Sequence, residues 1–166
     1  ELDNNVSPSM IEEDGIVFAV GGRSGASIAV RLGGKGDVTK THVVWRGEAS
    51  SYVPSPVLYE DRLYWVNDRG IAHCVNAKTG ELVYQHRLNI NSGGGRSFYA
   101  SVMVIGGKIY AVSRFDGTIV YQPGDEFKQI AHNRLSDESM FNASPAVVDG
   151  KILIRSDSAL YCIGNK

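Results

Sequence analysis

No apolar stretch in this sequence is long enough to cross a bilayer. The longest, such as Ile16 to Val20, fall far short of the roughly 20 residues that a spanning helix needs. Charge of one sign is also missing. Seventeen basic residues against eighteen acidic ones leave a formal net charge of −1, which argues against a strongly basic nucleic-acid binder. Cysteine is sparse: Cys74 and Cys162 are the two, and neither a CxxC nor an HxxxH spacing is present to clip a metal. Proline is sparse as well, five residues against nineteen glycines, which points to many turns between short ordered segments rather than to a disordered linker. No signal peptide or lipidation motif is visible. The chain starts at Glu1 without an initiator Met and reads as a processed or excised piece, so that lack says nothing about compartment. What remains is an ordinary balance, 43% hydrophobic and 21% charged, over 166 residues, enough for a substantial core in one domain spanning 1–166.

The positive signal is an internal repeat. Ser9 to Gly15, Ser55 to Asp61, Ser101 to Gly107 and Ser144 to Gly150 align, with their leading serines 46, 46 and 43 residues apart. In each unit a hairpin pair (Asp14-Gly15, Glu60-Asp61, Gly106-Gly107, Asp149-Gly150) leads into a β-branched or aromatic run. Those runs are Ile16 to Val20, Leu63 to Val66, Ile109 to Val112 and Ile152 to Ile154. A second turn, near Gly25, Asp68-Arg69-Gly70, Asp116-Gly117 or Asp157-Ser158, introduces a third strand. The third strands are Ser27 to Val30, Ile71 to Val75, Thr118 to Tyr121 and Ala159 to Ile163. A fourth strand follows in three units only: His42 to Trp45, Leu82 to His86 and Phe127 to His132.

The period suits a four-stranded propeller blade. The expected fold is therefore an all-β propeller of four antiparallel blades, at about 6–46, 52–88, 98–135 and 140–166, the last lacking its outer strand. Residues 1–5 are too short and polar to supply that strand. One stretch reads two ways. Phe127, Ile130, Ala131 and Leu135 fall at helical spacing, and 126–143 lacks Gly and Pro, but its position in the repeat favours a strand.

Asn76-Ala77-Lys78-Thr79-Gly80-Glu81-Leu82-Val83-Tyr84 resembles the blade signature of the pyrroloquinoline-quinone-like propellers, a Thr-Gly turn before an aromatic on the outer strand. Gly36 to Arg46 with Tyr52-Val53-Pro54-Ser55-Pro56 resembles the C-terminal half of longer bacterial members. The resemblance implies four blades of a seven- or eight-bladed ring, with the others supplied by missing N-terminal blades or by a second copy. It also implies a periplasmic or extracytoplasmic home. Quinoprotein dehydrogenases of this fold hold their cofactor with an adjacent-cysteine disulfide, a stacking tryptophan and ligands to calcium. No Cys-Cys pair is present here, so no cofactor site carries over.

Cys74 and Cys162 occupy the same third-strand position two blades apart, too far for a disulfide whose Cα atoms must lie within about 7 Å, and are expected as buried free thiols. His42, His86 and His132 fall on outer strands and are expected to be solvated rim residues. His73 lies beside Cys74 on a strand, where neighbours point to opposite faces. Ser92-Gly93-Gly94-Gly95-Arg96-Ser97 lacks the ending of a phosphate loop and reads as a flexible connector between blades. Connections on that face commonly carry binding function, which makes Arg96 the best candidate for a ligand-facing charge. Tyr52, Phe98 with Tyr99, and Phe141 recur before the later anchors. Packing between blades accounts for them, with Tyr52 and Tyr99 as the alternative ligand contacts. No catalytic constellation and no metal site can be argued from the spacing.

The expected function is a non-catalytic scaffold or binding module for a protein or carbohydrate partner, as in outer-membrane assembly lipoproteins of similar fold. The alternative is a fragment of a quinone-dependent oxidoreductase whose cofactor ligands lie in missing blades.

Overall fold

The computed structural model describes residues 6–22, 25–91 and 93–164. Among them it forms fifteen strands and no helix. The first sheet holds β1 (Ile11–Glu13), β2 (Ile16–Gly21), β3 (Ala26–Arg31) and β4 (Val43–Gly47) in that order. The second holds β5 (Val57–Tyr59), β6 (Arg62–Val66), β7 (Ile71–Asn76) and β8 (Leu82–Arg87). The third holds β9 (Met103–Ile105), β10 (Lys108–Val112), β11 (Thr118–Gln122) and β12 (Lys128–Asn133). The fourth has β13 (Ala146–Val148), β14 (Lys151–Arg155) and β15 (Leu160–Ile163) only. All neighbours are antiparallel, so these are four propeller blades with the last incomplete among the described residues. The stretch with helical spacing forms β12, because pairing with β11 decides where local periodicity is ambiguous.

The repeat extends to backbone detail. Every first hairpin turns on two residues at positive φ: 50° and 73° at Asp14-Gly15, 49° and 59° at Glu60-Asp61, 55° and 69° at Gly106-Gly107, 49° and 71° at Asp149-Gly150. That geometry matches the twist of the paired strands, and only the second blade achieves it without glycine. Each complete blade also carries a register shift between its third and fourth strands, at Ala29/Val30, Cys74/Val75 and Val120/Tyr121. The extra residue sharpens twist where the sheet meets the rim.

Side-chain alternation assigns each strand residue to one of two neighbouring blades. Tyr64, Val66, Ala72 and Cys74 face the third blade and pack with Ile109, Ala111, Ile119 and Tyr121. Leu63, Trp65 and Val75 face the first blade, against Phe18, Val20, Ala29 and Trp45. The second blade is thus buried on both sides, which is why Leu63-Tyr64-Trp65-Val66 is apolar without a break. Burial of each such large side chain contributes about 1.5–3 kcal/mol. The third and fourth blades share a thinner layer, chiefly Val112, Phe141 and Ile154.

The anchor serines explain the period. The Ser9 amide donates to the Ser55 hydroxyl, the Ser55 amide to that of Ser101, and the Ser101 amide to that of Ser144, each at 2.9 Å. The sequence spacing is therefore a chain of hydrogen bonds running from blade to blade, always in the same direction.

The expectation for the cysteines fails in part. Both thiols are free, but only Cys74 is buried; Cys162 is exposed. The two are equivalent in their blades, and Cys74 faces the third blade while the described residues place no blade over Cys162.

Candidate functional site

Antiparallel meander order puts the turns between second and third strands at the same end of each blade as the connections between blades. Backbone hydrogen bonds lace the two together. The Ser97 amide donates to Asp68 O (2.8 Å), Arg114 to Ser97 O (2.8 Å), Phe141 to Arg114 O (3.1 Å) and Asp157 to Met140 O (2.9 Å). This end is consequently a rigid face although it is made of loops.

Arg96 lies on it, with its guanidinium 4.3 Å from the centre of the Tyr52 ring and Nη1 2.9 Å from Asp68 Oδ2. Its side chain is 34% exposed, against 10% for Asp68, so the charge is held in place and still reaches solvent. A small polar cavity of about 60 Å³ lies here, lined by Ser50, Tyr52, Asn67, Asp68, Arg69 and Arg96 among others. The sequence reading missed Arg114. Its guanidinium sits 4.2 Å from the centre of the Tyr99 ring, Nε donates to Asn142 Oδ1 (2.7 Å), and Nη1 donates to Arg96 O (3.1 Å). The available signal was its place in the turn, equivalent to Asp68 one blade earlier. Tyr52 and Tyr99 are therefore each covered by an arginine, and Arg114 ties the second pair to the first. Phe98 and Phe141 are buried between blades instead.

The connector before Arg96 is anchored in its described part. Asn91 N donates to Asp116 Oδ2 (2.8 Å), and Gly93 N donates to Asn91 Oδ1 (3.0 Å); Ser92 lies outside the described residues. Asp116 also accepts from Arg134 Nε at 2.6 Å, and that bond above all holds its carboxyl below the usual range. Asp137 accepts from the hydroxyls of Ser139 (2.6 Å), Ser156 (2.6 Å), Ser158 (3.0 Å) and Tyr161 (2.7 Å). Its carboxyl stays well below the ordinary value, Ser139 contributing most. Both carboxylates are held as anions that tie neighbouring segments together.

The histidines divide. His86 is exposed but stacks on Phe127 at 4.2 Å. His132 is only half-buried rather than solvated, because Nε2 meets the Asp116 carbonyl and lies 3.7 Å from its carboxylate. His42 sits just before β4 with Nδ1 2.8 Å from Thr41 Oγ1. His73 is buried and stacks flat on Trp65 at 4.9 Å. A wider groove of about 570 Å³ opens between the first two blades, lined by Gly47, Gly80, Ser27, Glu48, His73 and Gln85 among others. Among the described residues no three His, Cys, Asp or Glu side chains lie together as metal ligands would.

No protein-family model and no curated protein matches the sequence. Solved structures do match in fold. BamB from Moraxella catarrhalis superposes with a TM-score of 0.71 at 15% identity, covering 95% of this chain and 46% of that one. The quinohemoprotein alcohol dehydrogenase ADHIIG from Pseudomonas putida HK5 gives 0.66 at 14%, covering 93% and 28%. The computationally designed Ika4 protein gives 0.63 at 11%, covering 99% and 98%. The chain thus spans less than half the length of the two natural proteins. With its blade order and repeat, this likeness identifies the fold as that of the pyrroloquinoline-quinone-like β-propellers, of which the chain holds four blades.

Proposed function

We propose that this chain is a non-catalytic binding module of an extracytoplasmic protein, and that it holds a partner protein on the face formed by its turns and blade connections. The observation that carries the reading is the pair of guanidinium–tyrosine stacks, Arg96 on Tyr52 and Arg114 on Tyr99, on successive blades of a laced and rigid face. Arginine and tyrosine are the residue types that dominate protein-interface energetics, and side chains already locked lose little entropy on binding. Partly exposed guanidinium groups favour an acidic or aromatic segment.

The quinone alternative shares this fold and places its cofactor ligands in blades outside this chain, so the residues present favour it only through the fold. The two cysteines are not adjacent, and one is buried while the other is exposed. Trp45 and Trp65 are 7% and 0% exposed. Both rings are packed between the first two blades, Trp65 with His73 stacked on it, so neither offers a free stacking face. Peptide selection from a displayed library against the chain tests the proposal. Acidic or aromatic sequences should emerge whose affinity falls tenfold or more with Arg96→Ala and with Arg114→Ala, while both variants stay folded. Saturable uptake of pyrroloquinoline quinone with calcium, or binding of oligosaccharides alone, would overturn it.

A further inference from the structure

We propose that the groove between the first two blades is a second binding site, and that it takes a neutral polyhydroxy ligand, a mono- or disaccharide. Both of its walls belong to consecutive blades of this chain. Ser27 of β3 faces the second blade, while His73 of β7 and its strand partner Gln85 of β8 face the first. These polar groups converge from opposite sides on a space of about 570 Å³. Clefts that hold small ligands run from roughly 300 to 1,000 Å³.

Two of the side chains are unfavourable to bury without a partner. Ser27 is 3% exposed, and its hydroxyl bonds to nothing among the described residues. His73 is 4% exposed, and its Nδ1 donates to Ile71 O at 3.0 Å, which leaves Nε2 as an acceptor. The blade plan does not require either. Ser27 pairs with Val20 as Ala72 pairs with Val66, and His73 pairs with Trp65 as Ile119 pairs with Ala111. The matching seam between the second and third blades therefore holds Ala72 and Ile119, both apolar and fully buried. Polarity at these places is particular to the first seam.

The free donors and acceptors select the ligand. His73 Nε2 and the Glu48 carboxylate accept only. Asn67 Oδ1 is taken by the amides of Arg69 (3.1 Å) and Ile71 (3.0 Å), so its Nδ2 is left to donate. Ser27 and Gln85 do both. An ammonium ligand would leave the donors unmet, and an anion the acceptors. A hydroxyl donates and accepts at one atom, so adjacent hydroxyls answer both. Among the described residues no Lys or Arg lines the groove, which disfavours phosphate and carboxylate further. An extended peptide would need a free strand edge, whereas these side chains project from sheet faces. Val75 and Leu82 add apolar surface for the carbon side of a sugar ring.

Tryptophan fluorescence reports on the site, because His73 stacks on Trp65 at 4.9 Å. Titrating the 166-residue chain with glucose, galactose, mannose, maltose and cellobiose at pH 7 should saturate for at least one, with a Kd of about 1 mM or tighter. Ser27→Ala removes a hydroxyl that bonds to nothing in the chain, so it should fold as well as the parent. It should bind that sugar at least about fivefold more weakly. His73→Phe, which keeps a ring on Trp65 but no acceptor, should weaken it similarly. No saturation by any of these sugars, or equal affinity in the parent and Ser27→Ala, would overturn the proposal. So would sulfate or tetra-alanine binding in place of the sugars with the same sensitivity to Ser27→Ala. The sugars are titrated without peptide, so this proposal and the one for the turn face fail independently.

Discussion

Replacing His73 with Phe isolates one buried titratable ring and gives a pH dependence whose size follows from its surroundings. The imidazole is 4% exposed and lies nearly parallel to Trp65, with Nδ1 3.0 Å from Ile71 O. Burial pushes it down to about 4 from 6.5, although the Ile71 carbonyl favours the charged form. Because the folded value is the lower one, the unfolded chain binds the extra proton between those two values. Stability is then flat above pH 6.5 and falls as pH drops toward 4, by about 3 kcal/mol at 1.36 kcal/mol per unit. His73→Phe keeps a ring on Trp65 and removes the titration. It loses one hydrogen bond, about 1 kcal/mol. The Ile71 carbonyl still accepts from Asn67 N, so no acceptor is stranded. Urea unfolding followed by tryptophan fluorescence at pH 7 and pH 4 measures the difference. The variant should be slightly less stable at pH 7 and more stable than the parent by about 2 kcal/mol at pH 4. Parallel behaviour of the two proteins between these pH values would refute a buried neutral His73. Taking the difference cancels Asp116 and Asp137, whose depressed carboxyls lose their own stabilisation as pH falls through their range.

Two further substitutions test the turns and seams. Glu60→Asn should raise the melting temperature by a few degrees, because Glu60 holds φ at 49° and Asn tolerates that region at about 0.5–1 kcal/mol less cost. Gly80→Ala should cost about 2–4 kcal/mol in denaturant unfolding, since its Cβ would sit 2.6 Å from the Trp45 ring at a φ of +76°. An unchanged midpoint would mean that the seam between the first two blades is looser than described.

The blades were legible because their turns and periodicity are local. Asp14-Gly15 and its three relatives announce a hairpin wherever they occur. The anchor serines could be aligned, but their purpose could not be read, since a hydrogen bond across 46 residues leaves no trace in either serine's neighbourhood. Cys162 misled for the same reason. Its strand resembles that of Cys74, and what differs is the presence of a blade alongside. Arg96 was legible as a charge on the functional end, but its stacking on Tyr52 and pairing with Asp68 were not. Arg114 escaped because a lone arginine in a turn looks like any solvated residue until Tyr99 and Asn142 are brought to it. His132 was misread because an outer-strand position predicts exposure, whereas the neighbouring turn folds Asp116 onto it.

The account rests on a repeat held together by a directional chain of serine hydrogen bonds. Amide hydrogen exchange resolved at the four anchors measures that chain directly. The Ser55 and Ser101 amides, each donating to the hydroxyl of the next anchor, should be strongly protected. Ser55 and Ser101 exchanging as fast as an unfolded chain would contradict it.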